Sequence, residues 1–179
     1  LDETEHDLLS DAETAMHRAK STGSDQIARF AAPMRADKDS RVALESDLRF
    51  AIEKKQLTVL FQPIMYLRTE ELAGFEALVR WEHPRLGTMN PADFVPLAEE
   101  SDLIVKLGAY VLQAAVAEAQ RWHKELPRPE NPLFVSVNVS TRQLFRPDLV
   151  SEVRQIMGRG LLPKGSLRLE ITESLVMEN

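Results

Sequence analysis

The sequence predicts an α/β fold in which strands and helices alternate along the chain. Three observations predict it. Leu133-Phe-Val-Ser-Val-Asn-Val-Ser140 and Leu167-Arg-Leu-Glu-Ile-Thr-Glu173 alternate apolar with small or polar residues, as half-buried strands do. Ahead of them, Leu103, Ile104, Leu107, Val111, Leu112, Ala115, Ala119 and Trp122 recur at helical spacing and form a stripe. A hydrophobic fraction of 44% in 179 residues is sufficient for a packed core.

Taken in order, Leu8, Leu9, Ala12, Ala15, Met16 and Ala19 predict a helix over residues 5 to 20, stopped by Ser21-Thr-Gly-Ser24 with Gly23 as C-cap. Gln26 to Phe30 reads as a short strand, and the polar stretch 31 to 39, with Pro33, as a linker or the start of a connecting helix. Ser40 is a plausible N-cap for a helix carrying Leu44, Leu48, Ala51 and Ile52. A hairpin follows: a strand from Leu57 to Leu67, the polar Arg68-Thr-Glu-Glu71, and a strand from Leu72 to Trp81. Beyond the Pro84 to Pro91 loop come a short helix to Glu100 and a long one from about Asp102 to Lys124. Pro127, Pro129 and Pro132 then break the chain before the Phe134 strand. Pro147 to Met157 is helical, and Leu161-Leu-Pro-Lys-Gly165 turns into the last strand.

Composition excludes several functions. No run approaches the roughly 20 apolar residues of a membrane span, and the opening Leu1-Asp-Glu-Thr-Glu-His lacks the basic and apolar parts of a signal peptide. A soluble, cytoplasmic segment without membrane contact is therefore expected. The absence of cysteine excludes disulfides and thiolate metal sites and agrees with a reducing compartment. A formal net charge of −6, with no basic run interleaved with aromatics, disfavours bulk nucleic acid. A phosphate-bearing ligand would need local attraction, which bound divalent cations with Arg80 and Arg142 can supply. Among 7 glycines there is no phosphate loop, and neither a Ser-His-Asp set nor zinc spacing is present.

The chemistry concentrates in Gly74-Phe-Glu-Ala-Leu-Val-Arg-Trp-Glu-His-Pro84. As a strand it points Glu76, Leu78 and Arg80 to one face and Phe75, Ala77 and Val79 to the other. A carboxylate in so apolar a strand is paired with Arg80, bound to a metal, or at a barrel end where ligands bind. Asn138 ends the next strand, as a ligand or as a strand-end cap. Glu170 and Glu173 lie near the end of the last, three apart, so at most one of the two faces a common site. Oxygen-only donors of this kind suit Mg²⁺, Mn²⁺ or Ca²⁺. His83, before Pro84, reads as structural, His6, His17 and His123 as helix-surface residues, and Trp81 and Trp122 as core.

Phe61-Gln-Pro-Ile64, Glu76-Ala-Leu-Val-Arg-Trp-Glu-His-Pro84, Pro91-Ala-Asp-Phe-Val-Pro-Leu-Ala-Glu-Glu100, Ser136-Val-Asn-Val-Ser140 with Arg142-Gln143, and Leu169-Glu-Ile-Thr-Glu-Ser174 together resemble the EAL-domain cyclic di-GMP phosphodiesterases, in that order, over about residues 40 to 179. The resemblance implies a partial TIM-like (β/α) barrel, since a whole one takes roughly 250 residues, and hydrolysis of cyclic di-GMP to linear pGpG in bacterial second-messenger signalling. It implies a two-metal Mg²⁺ or Mn²⁺ site with Glu76, Asn138 and Glu170 as ligands, and Glu173 as a neighbouring residue that holds a loop. Gln62, Leu78, Arg80 and Arg142 match positions lining the nucleotide, and Pro96 the segment packed on a guanine. Arg80 binds a phosphate on this reading, or only neutralises Glu76; Arg142 binds the nucleotide or is a solvated surface arginine. Phe61, where many relatives have tyrosine, and Met89-Asn90 depart from the pattern.

Asp11 to Lys20 is similar to the last helix of a GGDEF, or diguanylate cyclase, domain, although the cyclase signature is absent. The expected organisation is thus a GGDEF-like end over 1–31, a linker over 32–40 and the N-terminal part of an EAL domain over 41–179. On this reading the chain is a piece of a longer protein, because the family's further aspartate pair, lysine and glutamate have no counterpart in it, and the fragment alone is expected to be inactive. A catalytically inactive cyclic di-GMP receptor is the alternative function, and a homodimer through its helices a further expectation.

Overall fold

The computed structural model describes residues 5–22, 25–54, 56–128, 130–158 and 162–171. The chain divides into two compact units, Leu1–Asp47 and Leu48–Asn179. The division falls inside a helix, α2 (Ala32–Lys54), which follows α1 (Glu5–Thr22). Residues 32–40 are therefore helical, and Ser40 lies within α2 instead of capping it. Pro33 sits in the first turn of α2, where the N–H that proline lacks would have no partner in any case. Gln26 to Phe30 forms no strand, and Ile27 is almost wholly exposed. Gly23 falls outside the described residues.

In the first unit Asp11, Thr14 and Ala15 are buried while Leu8, Leu9 and Met16 remain exposed, so much of the apolar stripe of α1 is open. Thr14 Oγ1 donates to the Ser10 carbonyl at 2.7 Å, and Lys38 Nζ to Ser10 Oγ at 3.3 Å.

The second unit is α/β, with the strand and helix arrangement of a TIM-like barrel. Its elements after α2 are β1 (Leu57–Met65), β2 (Leu72–His83), β3 (Gly87–Met89), α3 (Pro91–Glu100), α4 (Leu103–Glu125), β4 (Phe134–Val139), α5 (Thr141–Leu144), α6 (Leu149–Met157) and β5 (Leu167–Ile171). The sheet order is β1-β2-β4-β5, with β3 on β2. The hairpin strands β1 and β2 are antiparallel; β2, β4 and β5 are parallel, joined through helices as short parallel crossovers require. The sequence pattern does not reveal β3 or α5. A three-residue strand carries no period of its own, and β3 exists by pairing with Trp81 to His83, with Thr88 donating to Glu82 at 2.8 Å.

Strand parity decides where the core lies. On β2, Ala77, Val79, Trp81 and His83 are buried towards the helices, and Trp81 meets Phe94 of α3 edge-on at 5.7 Å. Trp122 of α4 packs against Phe61 at 5.1 Å and Phe75 at 4.3 Å. Leu103, Ile104, Leu107, Val111, Leu112, Ala115, Ala119 and Trp122 are buried on α4, as their spacing predicts, and Val116 joins them. Tyr110 of the same helix donates to the Leu57 carbonyl at 2.6 Å and ties α4 to β1. Gly74 permits a close strand approach: a Cβ there would lie 2.3 Å from the Phe134 carbonyl oxygen and 2.7 Å from its ring.

His83 has a structural place. Its buried Nδ1 accepts the N–H groups of Arg85 and Leu86, both at 3.1 Å, and so closes the turn between β2 and β3.

Candidate active site on the strand ends

The face of the sheet turned away from the helices collects the polar residues. Residues paired across a ladder share a face, and the register sets Gln62, Glu76, Ser136 and Arg168 in one row across β1, β2, β4 and β5. The next row towards the C-terminal ends of the parallel strands pairs Asn138 with Glu170. Glu76 bridges the rows: its Oε1 accepts from Asn138 Nδ2 at 2.8 Å. Three oxygen-bearing groups from three strands thus come together although 94 positions separate the first from the last (170 − 76).

The Glu76–Arg80 ion pair is not formed. Arg80 lies two positions further along the same face of β2, and its Nη1 donates instead to the Val79 carbonyl at 2.9 Å. Glu76 takes its partner across the sheet because the diagonal neighbour on the adjacent strand, about 7–8 Å away, is nearer than Arg80, about 13 Å along β2. Glu76 is half-buried, whereas Asn138 and Glu170 are exposed. Ser136 Oγ, level with Glu76, is fully buried and has no hydrogen-bond partner among the described residues.

The donor set fits a hard divalent cation. Two carboxylates and an amide oxygen on one face, with no sulfur or imidazole among them, are the ligand types Mg²⁺ and Mn²⁺ take. Among the described residues no cluster of three or more His, Cys, Asp or Glu side chains forms; on this face a third donor to a cation would have to come from the amide of Asn138. Its nitrogen now faces Glu76; a half-turn of the amide presents its oxygen on the same side.

The remaining predicted residues are spread around this row. Gln62 is exposed on β1 opposite Glu76, and Leu78 is half-buried two residues beyond it, paired with Leu60. Pro96 is exposed in the middle of α3. Arg142 is the second residue of α5, the short helix that leaves β4, and its Nη1 donates to Asp102 Oδ1 at 3.0 Å. Glu173 lies outside the described residues.

Two neighbours of the site escape a reading of sequence alone. Arg168, two positions before Glu170 and of the same parity, lays its guanidinium 3.4 Å from the centre of the Phe134 ring. The second is Asp102, the partner of Arg142, which no local spacing marks.

The sequence model of the EAL domain matches residues 45–179. The chain belongs to the EAL-domain family. MucR of Pseudomonas aeruginosa, a bifunctional diguanylate cyclase/cyclic di-GMP phosphodiesterase, is 36% identical over 177 residues, which are 99% of this chain and 25% of that protein. The structure of this EAL domain is similar to that of the PaMucR phosphodiesterase in complex with c-di-GMP, with a TM-score of 0.70 and 37% identity, covering 76% of this chain and 54% of that one. It also resembles the FimX EAL domain from Pseudomonas aeruginosa bound to c-di-GMP, with a TM-score of 0.62 and 26% identity, over 72% and 50% of the two chains. The chain spans about a quarter of that curated relative and about half of each of these solved chains. Among the described residues of the EAL protein, no helix is long and apolar enough to cross a membrane.

Proposed function

We propose that this EAL domain hydrolyses cyclic di-GMP to linear pGpG in bacterial second-messenger signalling, with divalent cations, Mg²⁺ or Mn²⁺, at a two-metal site to which Glu76, Asn138 and Glu170 contribute. The observation that carries the proposal is the 2.8 Å contact between Glu76 and Asn138 with Glu170 in register beside them. The similarity to a phosphodiesterase in complex with c-di-GMP supports the choice of substrate.

In the reaction one water adds across one phosphodiester, a P–O bond breaks, and the freed ribose hydroxyl takes the proton. Bound cations supply an activated water and neutralise the charge that grows on the phosphoryl oxygens. Glu76 and Glu170 provide the anionic ligands, and Asn138 a neutral one that leaves the site's charge lower. Arg80 keeps donors that no described residue takes up, and these suit a phosphate oxygen, since a guanidinium presents paired N–H groups. Arg142 serves the nucleotide from α5. Gln62 and Leu78 flank the row beside the ligand, Pro96 offers its exposed ring to a guanine, and Glu173 holds a neighbouring loop.

The organisation that accompanies this reading is a GGDEF-like end before a connecting segment and the EAL domain, in a cytoplasmic protein. The test is Glu76→Gln in the complete protein, assayed for pGpG release with Mg²⁺ or Mn²⁺. Turnover should fall about 100-fold or more, the scale of losing an electrostatic group from a catalytic site, while cyclic di-GMP binding persists. Turnover at the wild-type rate would overturn the assignment. A wild type that binds the nucleotide but never hydrolyses it would establish a receptor in place of an enzyme.

A further inference from the structure

An aspartate in front of a helix ordinarily gives its carboxylate to the N–H groups of the first turn. Asp102 does not. It precedes α4 in the left-handed conformation, φ 60° and ψ 4°, and makes no side-chain cap. That conformation is costly for most residues with a Cβ, though least so for aspartate and asparagine, and here the carboxylate is used away from its own helix. Oδ1 accepts from Arg142 Nη1 at 3.0 Å.

The backbone of Arg142 is fixed by the same helix. Ser140 and Gln143 form a capping box around the start of α5: the Gln143 N–H donates to Ser140 Oγ at 3.4 Å, and the Ser140 N–H to Gln143 Oε1 at 3.2 Å. Gln143 is buried, and its amide fills the place of a missing side chain, since a Cβ on Gly108 would lie 1.8 Å from Nε2. So α4 holds α5 at two points, through Gly108 beneath Gln143 and through Asp102 against the guanidinium of Arg142. The ion pair is open to solvent, with 52% of the Arg142 and 85% of the Asp102 side chain exposed. An exposed pair of this kind contributes little to stability. It does restrict a long side chain that otherwise loses its rotamer freedom only when a ligand arrives.

We propose that Asp102 is a positioning residue that holds Arg142 ready for a phosphate of the nucleotide. This rests on the reading of Arg142 as a nucleotide-binding group, and it adds a residue that does not itself touch the ligand. The guanidinium gives one N–H to Asp102 and keeps the others for the phosphate.

The experiment measures cyclic di-GMP binding in Ca²⁺, where turnover is expected to stall, and steady-state hydrolysis in Mg²⁺, on the complete protein. Asp102→Asn should raise Kd and KM together by about two- to tenfold, the scale of ordering one long side chain, with kcat unchanged. Asp102→Glu, which restores the charge, should recover much of the loss. On an Arg142→Ala background, Asp102→Asn should do nothing further. Unchanged or tighter binding in Asp102→Asn, or an undiminished effect without Arg142, would overturn the positioning role. A wild type that fails to bind the nucleotide, or an Arg142→Ala variant that binds it normally, would overturn the underlying reading and this inference with it.

Discussion

Neighbouring residues of β2 meet opposite surroundings. Ala77, Val79, Trp81 and His83 are buried against helices and a turn, while Glu76, Leu78 and Arg80 are only half-buried on the other face. The helix-facing side is occupied by rings and aliphatic chains, and its one polar member, His83, is satisfied by two backbone N–H groups. The other side carries carboxylates, amides and guanidinium groups, and Arg80 there keeps donors that no described residue takes up. Parity along one strand thus separates what holds the sheet from what can bind a ligand, and substitutions at consecutive positions should give different phenotypes.

The largest effect expected on the buried face is that of Trp81→Ala. Removing a fully buried ring that contacts Phe94 and His83 leaves a cavity, and about 3–5 kcal/mol of stability should be lost. Denaturant unfolding of the complete protein measures this; a loss below about 1 kcal/mol would contradict the cavity argument. Glu76→Gln, by contrast, should unfold within about 0.5 kcal/mol of the wild type, as substitutions away from packed features do.

Next in size is Arg80→Ala on the open face. If its guanidinium meets a phosphate, cyclic di-GMP binding in Ca²⁺ should weaken by about 1.5–3 kcal/mol, the worth of a charge-assisted hydrogen bond, with the melting curve little changed. If Arg80 acts only on Glu76, metal affinity should change and nucleotide binding without metal should not. Calorimetric titration with and without metal separates the two, and unaltered affinity in both conditions would remove Arg80 from the site.

The smallest effect concerns acid stability at α6. The hydrogen bond from Arg146 holds the Asp148 carboxyl below its usual 3.8. A carboxyl depressed by folding stabilises above that value and loses the contribution as pH falls through the lower folded value. Asp148→Asn should therefore be slightly less stable than the wild type at neutral pH, by little because the pair is exposed, and the two proteins should converge as pH falls below 3.8. Acid titrations that superimpose for the two proteins would dismiss the contribution.

Much of this arrangement was legible in the sequence where a period repeats. The stripe of α4 and the alternation of β2 and β4 carry several turns or pleats of signal, and the hairpin of β1 and β2 has a polar turn between two such runs. Short elements are silent for a physical reason: β3 is defined by its partner. The Ser140-x-x-Gln143 spacing is a capping box, but reading Ser140 as the end of a strand conceals it. Gln26 to Phe30 misleads because strand propensity is a weak guide that context overrides.

Side-chain partners were less legible than elements. Spacing along β2 puts Glu76 and Arg80 on one face and suggests their pairing, yet the parallel register with β4 brings Asn138 closer. Asp102 and Arg142 are 40 positions apart and meet only because α4 and α5 pack together. Both contacts depend on which strands and helices become neighbours, and no local window contains that.

The offset between the two rows has a consequence for side-chain length. Glu76 is level with Ser136, yet its carboxylate meets the amide of Asn138, which belongs one row higher. Backbone stagger is made up by reach: the two methylenes of glutamate carry its Oε1 to the amide of Asn138. An aspartate, shorter by one carbon–carbon bond of about 1.5 Å, would keep the charge and lose the height. At this position the requirement is a length set by the shear of the sheet, and charge alone does not meet it.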